Sequence, residues 1–437
     1  MTLVWSVIRL TLGAGLVALA YDWRTPTFAN IREWILIGLI IAPLCLAAVE
    51  FSILRRPVSR SMKRACTIAS LALAALALGW TLALQADFLW TRRAVLTADT
   101  GLIEQLGRHI IVGYRNGAEL KNLIDRRAIA GVYITSRNIK DRSADDIRRD
   151  IAAWQATRQR QGLPPLWITA DQEGGLVSRL SPPLRRRMSL SQFAAESDRA
   201  AREAATKTYA ANQAQELRDL GVNLNLAPVV DVNHGVAVQN DRYSLISRRA
   251  ISDDPQVVSE VAATYCATLK ANGVICTLKH FPGLGRINRD THLEGADLDV
   301  APAILASTDW MPFRTIMRDA DAFVMLGHVR LTALDRGHPV SFSRVVVDGL
   351  LRRNWRFDGV LITDDFSMGA VYQSGIGFAD ASVEALNAGV DLILVSFETD
   401  QYYAIMDRLL QASHSGKLEP AMLAASDRRL AHAAARK

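Results

Sequence analysis

Residues 255–283 read PQVVSEVAATYCATLKANGVICTLKHFPG. Pro255–Ala271 has helix period, and the Gly273–Lys279 run after it is almost continuously apolar. The run closes on Lys279-His280-Phe281-Pro282-Gly283, where ionisable side chains replace apolar ones. A strand apolar on both faces belongs in a parallel sheet covered by helices on both sides. The same unit recurs upstream and downstream. Apolar runs at His109–Gly113, Gly131–Thr135, Leu166–Asp171, Val222–Leu226, Gly273–Lys279, Ala322–Gly327, Gly359–Thr363 and Val390–Ser396 make eight predicted strands. Helix-period stretches such as Ala144–Arg160 and Ser197–Leu220 lie between most of them. Eight such repeats predict an α/β fold, a (β/α)8 TIM-type barrel. A doubly wound sheet is the weaker reading, because no G-x-G-x-x-G follows the first strand.

Upstream of the first repeat the chain changes character. Leu3–Tyr21 is apolar or small apart from Arg9, Trp34–Val49 carries no charge, and Ala65–Ala86 carries none in 22 residues. A helix needs roughly 20 apolar residues to cross a bilayer, so three transmembrane helices are expected. No clear small-x-small cleavage site precedes Tyr21-Asp22, which argues against a removed signal peptide. The loop between the second and third stretches holds Arg55, Arg56, Arg60, Lys63 and Arg64 with no acid. The positive-inside rule puts that loop and the N-terminus in the cytoplasm, and the rest of the chain after Trp90 outside. The expected organisation is a membrane anchor over residues 1–95 and a barrel over 96–437, in a bacterial inner membrane with the barrel on the periplasmic side.

Composition agrees with two unlike parts. The 437 residues are 50% hydrophobic and 22% charged, which excludes a disordered chain, and four Cys exclude a disulfide scaffold. Residues 1–99 hold ten Lys and Arg against five Asp and Glu, so +5 of the net +7 lies in the anchor. The barrel is nearly neutral, and its partner is not expected to be nucleic acid. Cys266 and Cys276 fall on a predicted helix and the next strand, where two buried free thiols are expected.

Active residues of such a barrel sit at the carboxyl ends of its strands. Those ends read Asp171-Gln172-Glu173-Gly174-Gly175, Ala227-Pro228-Val229-Val230-Asp231, Lys279-His280, Gly327-His328 and Thr363-Asp364-Asp365. Five of eight ends thus carry ionisable groups. Asp231 reads as structural, holding the loop after strand four.

In these motifs the chain resembles glycoside hydrolase family 3, and in particular its single-domain bacterial β-N-acetylglucosaminidase branch. The likeness rests on Asp171–Gly175 with Val177 and Arg179, on Asn225–Val232, and on Lys279–Gly285 followed by Asp290-Thr291-His292. Gly327-His328-Val329 and Thr363–Met368 complete it. The resemblance implies Asp364 as nucleophile, and Asp290 with His292 as a general acid/base dyad on a mobile loop. It also implies Asp171, Arg249, Lys279 and His280 as groups that grip sugar hydroxyls, with Arg179, Met325 and His328 lining the same site. The implied substrate is a β-linked N-acetylglucosaminide, with no cofactor and no metal. The sequence departs from the pattern at Leu284, where the branch usually has a second His, at Glu294-Gly295-Ala296, which lacks the usual proline, and around Arg249.

The residue types suit the chemistry. A retaining glycosidase needs a carboxylate to hold the glycosyl group and an acid to protonate the leaving oxygen. An imidazole can be that acid, since its ordinary pKa of ~6.5 lies near operating pH, provided an acceptor such as Asp290 orients it. The competing readings are a phosphorylase or a β-glucosidase-like hydrolase on the same nucleophile, a metal hydrolase using His280, His328 and Asp364, and a membrane-anchored sugar-binding protein without turnover.

Overall fold

In a computed structural model of the chain, residues 2–55, 61–239, 241–319 and 321–435 are described; Arg56 and Arg60 of the basic loop lie outside them. The chain forms two compact units, Met1–Thr97 and Ala98–Lys437.

The first unit is three helices: α1 (Thr2–Asp22), α2 (Arg32–Leu54) and α3 (Ser61–Thr97). All three are long and apolar enough to cross a membrane. They pack around Leu16, Trp23, Leu39, Leu46 and Ala77, while Trp5, Leu12, Ile41, Leu44 and Leu76 stay exposed. These helices thus carry apolar side chains on their outer as well as their packed faces. Arg9 of α1 meets the buried Glu50 of α2 at 2.5 Å. A buried charge is tolerated only when paired.

The second unit contains a closed barrel of eight parallel strands. They are β1 (Ile110–Val112), β2 (Gly131–Tyr133), β3 (Trp167–Ala170), β4 (Leu224–Asn225), β5 (Ile275–Phe281), β6 (Phe323–Leu326), β7 (Leu361–Asp365) and β8 (Leu392–Val395). Each strand pairs with its sequence neighbours, and Ile110↔Ile393 closes β1 on β8. The eight expected runs are the eight barrel strands, each trimmed at its ends except that β5 and β7 run two residues further. The helices Ala144–Arg160 and Pro255–Ala271 keep their expected bounds, and the third begins at Arg199.

Inward residues fill the barrel: Ile111, Tyr133, Trp167, Leu224, Ile275, Phe323, Met325, Ile362 and Leu392 form one buried cluster. Side chains on a strand alternate in direction. Counting in twos from Trp167, Ile275 and Ile362 therefore arrives at Asp171, Lys279 and Asp364. Strand period alone turns the last inward residue of three strands into a charge at one end of the barrel.

One expectation is corrected. Cys266 and Cys276 are joined as a disulfide, with Cα atoms 5.4 Å apart. Helix Pro255–Ala271 returns to β5 through Asn272-Gly273-Val274 and packs against it, which brings the two thiols face to face. Periodicity marks both as buried but does not show that they touch.

Candidate active site

At the end of β3, Asp171 and Glu173 reach the same ammonium. Lys279 of β5 lies 2.6 Å from Asp171 and 2.7 Å from Glu173. Arg249 clasps Glu173 in two parallel bonds of 3.0 and 2.6 Å and donates a third, of 2.6 Å, to the Ser244 carbonyl. The Tyr133 hydroxyl donates to Asp171 at 2.6 Å. Two carboxylates, an ammonium and a guanidinium thus form one matched network, the condition under which buried charges are stable. Burial would raise the carboxyl of Asp171, but Lys279, Tyr133 and Arg179 hold it well below the usual carboxylate range. Burial opposes ionisation of Glu173 too, and Arg249 and Lys279 overcome it. Desolvation pulls Lys279 down while Asp171 and Glu173 raise it further, so it stays an ammonium. Of the three groups that meet at Lys279, Asp171 keeps 20% of its side chain exposed, against 7% for Glu173 and 2% for Lys279. Asp171 is therefore the most open of the three.

The second group surrounds β7. Asp365 is saturated: it accepts from the amides of Ser367 (3.0 Å), Ser396 (3.0 Å) and Phe397 (2.9 Å) and from the Ser396 hydroxyl (2.6 Å). These bonds tie β7 to β8. Its neighbour Asp364 is partly exposed and accepts, among the described residues, only the Asp365 amide at 2.8 Å. Burial pushes the Asp364 carboxyl up, yet the imidazoles of His280, His328 and His292 hold it below the ordinary value. It is an ionised carboxylate with free lone pairs.

Two of those imidazoles are fixed from behind. The fully buried Asp231 accepts from His280 Nδ1 at 2.7 Å and from the amides of His280 (3.2 Å) and Leu284 (2.7 Å). It therefore sets both the ring and the loop after β5. His328 donates through Nε2 to the Asp365 carbonyl (3.1 Å), so its Nδ1 accepts from the Ser341 hydroxyl (2.7 Å). Burial lowers its pKa, opposed by the nearby Asp364 carboxylate.

The third imidazole, His292, stands on the loop between β5 and β6. Its Nδ1 donates to Asp290 at 2.7 Å, leaving Nε2 outward, and 38% of its side chain is exposed. The loop rests on the turn after β7: Gly369 N donates to the His292 carbonyl (2.8 Å) and Gln373 Nε2 to the Leu293 carbonyl (3.0 Å). A Cβ at Gly369 would fall 2.2 Å from the Leu293 carbonyl oxygen, so only glycine permits this approach.

An ionised carboxylate and an oriented imidazole whose charge reaches it can supply nucleophilic and acid–base chemistry. Residues 101–433 match the family described as "Glycosyl hydrolase family 3 N terminal domain". The chain belongs to glycoside hydrolase family 3. It is a glycoside hydrolase with a TIM-type barrel. The chain is 33% identical to a protein named beta-hexosaminidase from Xanthomonas axonopodis pv. citri over 288 residues, 65% of this chain and 81% of that one. It is 31% identical to beta-hexosaminidase LpqI of Mycobacterium tuberculosis over 328 residues, 72% of this chain and 78% of that one. Among solved structures it resembles a family 3 β-N-acetylglucosaminidase from Paenibacillus sp. str. FPU-7, with TM-score 0.69 and 29% identity. That match covers 76% of this chain and 62% of the other.

Within the family 3 site, Asp171, Lys279, His280, His328, Asp364, Asp290 and His292 all lie at the carboxyl end of the barrel. Arg179 is exposed there, and its charge acts on Asp171. Arg249 directs its guanidinium at Glu173 and Ser244, and Met325 lies in the inner apolar cluster with Tyr133. Sequence reasoning passed over Glu173, although it shares the quoted Asp171–Gly175 motif and strand alternation turns i and i+2 the same way. It also gave Asp231 a loop-holding role alone, and the pairing with His280 adds a second. Tyr133 carried no signal, because a strand tyrosine reads as core. Among the described residues no cluster of three or more His, Cys, Asp or Glu could hold a metal ion.

Proposed function

We propose that the barrel is a retaining exo-β-N-acetylhexosaminidase acting on terminal β-linked N-acetylglucosamine. The observation that carries the mechanism is the asymmetry at the end of β7, with Asp365 fully engaged and Asp364 ionised and open. Asp364 attacks the anomeric carbon while His292 Nε2 gives its proton to the departing oxygen, leaving a glycosyl ester. Water, deprotonated by the same His292, then cleaves the ester and frees Asp364. Asp171, backed by Lys279, accepts from sugar hydroxyls and fixes the ring, and Arg249 holds Glu173 so that Lys279 stays in place. The names of the relatives support N-acetylhexosamine as the sugar, and a peptidoglycan fragment is the substrate class that an envelope-facing enzyme meets. Replacing Asp364 by Ala should lower turnover of a chromogenic N-acetylglucosaminide by at least roughly 10⁴-fold; turnover within tenfold of the parent would refute the assignment.

The anchor reading places α1–α3 in the inner membrane and the barrel in the periplasm. Two independent features support it: the basic loop around Arg55 and Lys63, and a disulfide, which persists in oxidising compartments. A periplasm-active reporter fused after Thr97 should be active, and a fusion within residues 55–64 should not.

A further inference from the structure

Tyr243 lies beside the imidazole of His292, and the exposed Leu293 follows His292 in the chain. The Tyr243 ring lies 5.7 Å from the imidazole, tilted by 39°, and is 55% exposed; Leu293 is 52% exposed. Large apolar side chains held in water beside a proton donor call for a reason. Tyr243 is also firmly placed. Asp241 accepts from the Leu245 amide at 2.8 Å, Leu245 takes a left-handed backbone (φ 45°), and the Ser244 carbonyl accepts from Arg249. Through Arg249 the Tyr243 segment is tied to Glu173 and hence to the network that holds the sugar.

The proton donor must touch the glycosidic oxygen, so whatever lies beyond it is the leaving group. We propose that Tyr243 and Leu293 form the leaving-group subsite, taking a pyranose whose C–H face packs on the Tyr243 ring. This rests on His292 being the proton donor. A pyranose face is apolar and matches an exposed aromatic ring, whereas an aglycone without such a ring gains nothing from it. Tyr243 is on this reading a specificity residue and has no part in proton transfer.

The test uses the full chain in detergent and compares kcat/KM for N,N'-diacetylchitobiose with that for N-acetylglucosaminyl fluoride. Fluoride leaves without an acid and has no ring to stack. Tyr243→Ala should lower kcat/KM for the disaccharide about tenfold and leave the fluoride unchanged within about twofold. Tyr243→Phe should retain both, and Leu293→Ala should lower the disaccharide alone, by about threefold. The pH profile of disaccharide turnover should keep its shape in Tyr243→Ala. An equal fall on both substrates, a shifted pH profile, loss in Tyr243→Phe, or no loss on the disaccharide overturns the proposal. Asp364→Ala turning over the fluoride at parental rate would instead overturn the underlying mechanism.

Discussion

The end of β3 and the loop after β5 each set a carboxylate beside a basic partner at the same end of the barrel, yet the two pairs are built for opposite purposes. Asp171–Lys279 is enclosed by Glu173, Arg249 and Tyr133, and the ammonium at its centre is only 2% exposed. Asp290 accepts from both the ring Nδ1 and the amide of His292, two residues on, with the imidazole 38% exposed and the loop resting on Gly369. A group that fixes a sugar ring gains from a network that cannot relax, because reorganisation at the moment of reaction costs rate. A group that must give a proton, take one back and let product leave gains from exposure and a loop that lifts. On the proposed mechanism, the same ion-pair chemistry serves rigidity in one region and traffic in the other.

That contrast can be broken most severely at Lys279. Lys279→Met would leave Asp171 and Glu173 sharing a site without the charge between them, at a cost of about 3–5 kcal/mol. Thermal unfolding should show a large fall in Tm, and activity should disappear with it. His292→Ala tests the other side: Tm should hold, while kcat for an N-acetylglucosaminide falls roughly 10²–10⁴-fold. A Tm loss in His292→Ala as large as in Lys279→Met would erase the distinction. Gly369→Ala should be milder and confined to the loop, because the new methyl displaces the Leu293 carbonyl rather than a charge. It should lower kcat about tenfold to a hundredfold with little change in Tm, since a misplacement near 1 Å is enough for that.

The smallest effect is in pH. The folded carboxyls of Asp171 and Glu173 titrate below their ordinary values. Depressed carboxyls contribute stability that is complete above their unfolded pKa, near 4, and lost as pH falls through the folded values. Tm should therefore be level from pH 7 to about 5 and decline below about 4, and His292→Ala should leave that decline intact. A flat profile down to pH 3 would mean that the network does not carry the charges assigned to it.

How much of this was legible beforehand differs between the elements. The β7 end shows the boundary. Reading Thr363-Asp364-Asp365 places two adjacent carboxylates at a strand end, and only resemblance singled out the first. The reason they differ lies in Ser396 and Phe397, 31 and 32 residues away just past the end of β8, which saturate Asp365. Glu173 and Arg249 are separated by 76 residues, and nothing in either local sequence announces their bond.

What the sequence determined by itself was whatever depends on local period: eight apolar strands with helices between them, three long apolar helices ahead of them, and charges at the strand ends. Backbone hydrogen bonding and burial act on stretches of ten or twenty residues, so their signature is written in consecutive positions. Only the tertiary structure decided the Cys266–Cys276 bond, the bridging of two carboxylates by Lys279, the freedom of Asp364 and the setting of Tyr243 beside His292. Those are matters of a few ångströms between side chains far apart in the chain. Barrel closure and strand register set such distances, and no local pattern encodes them.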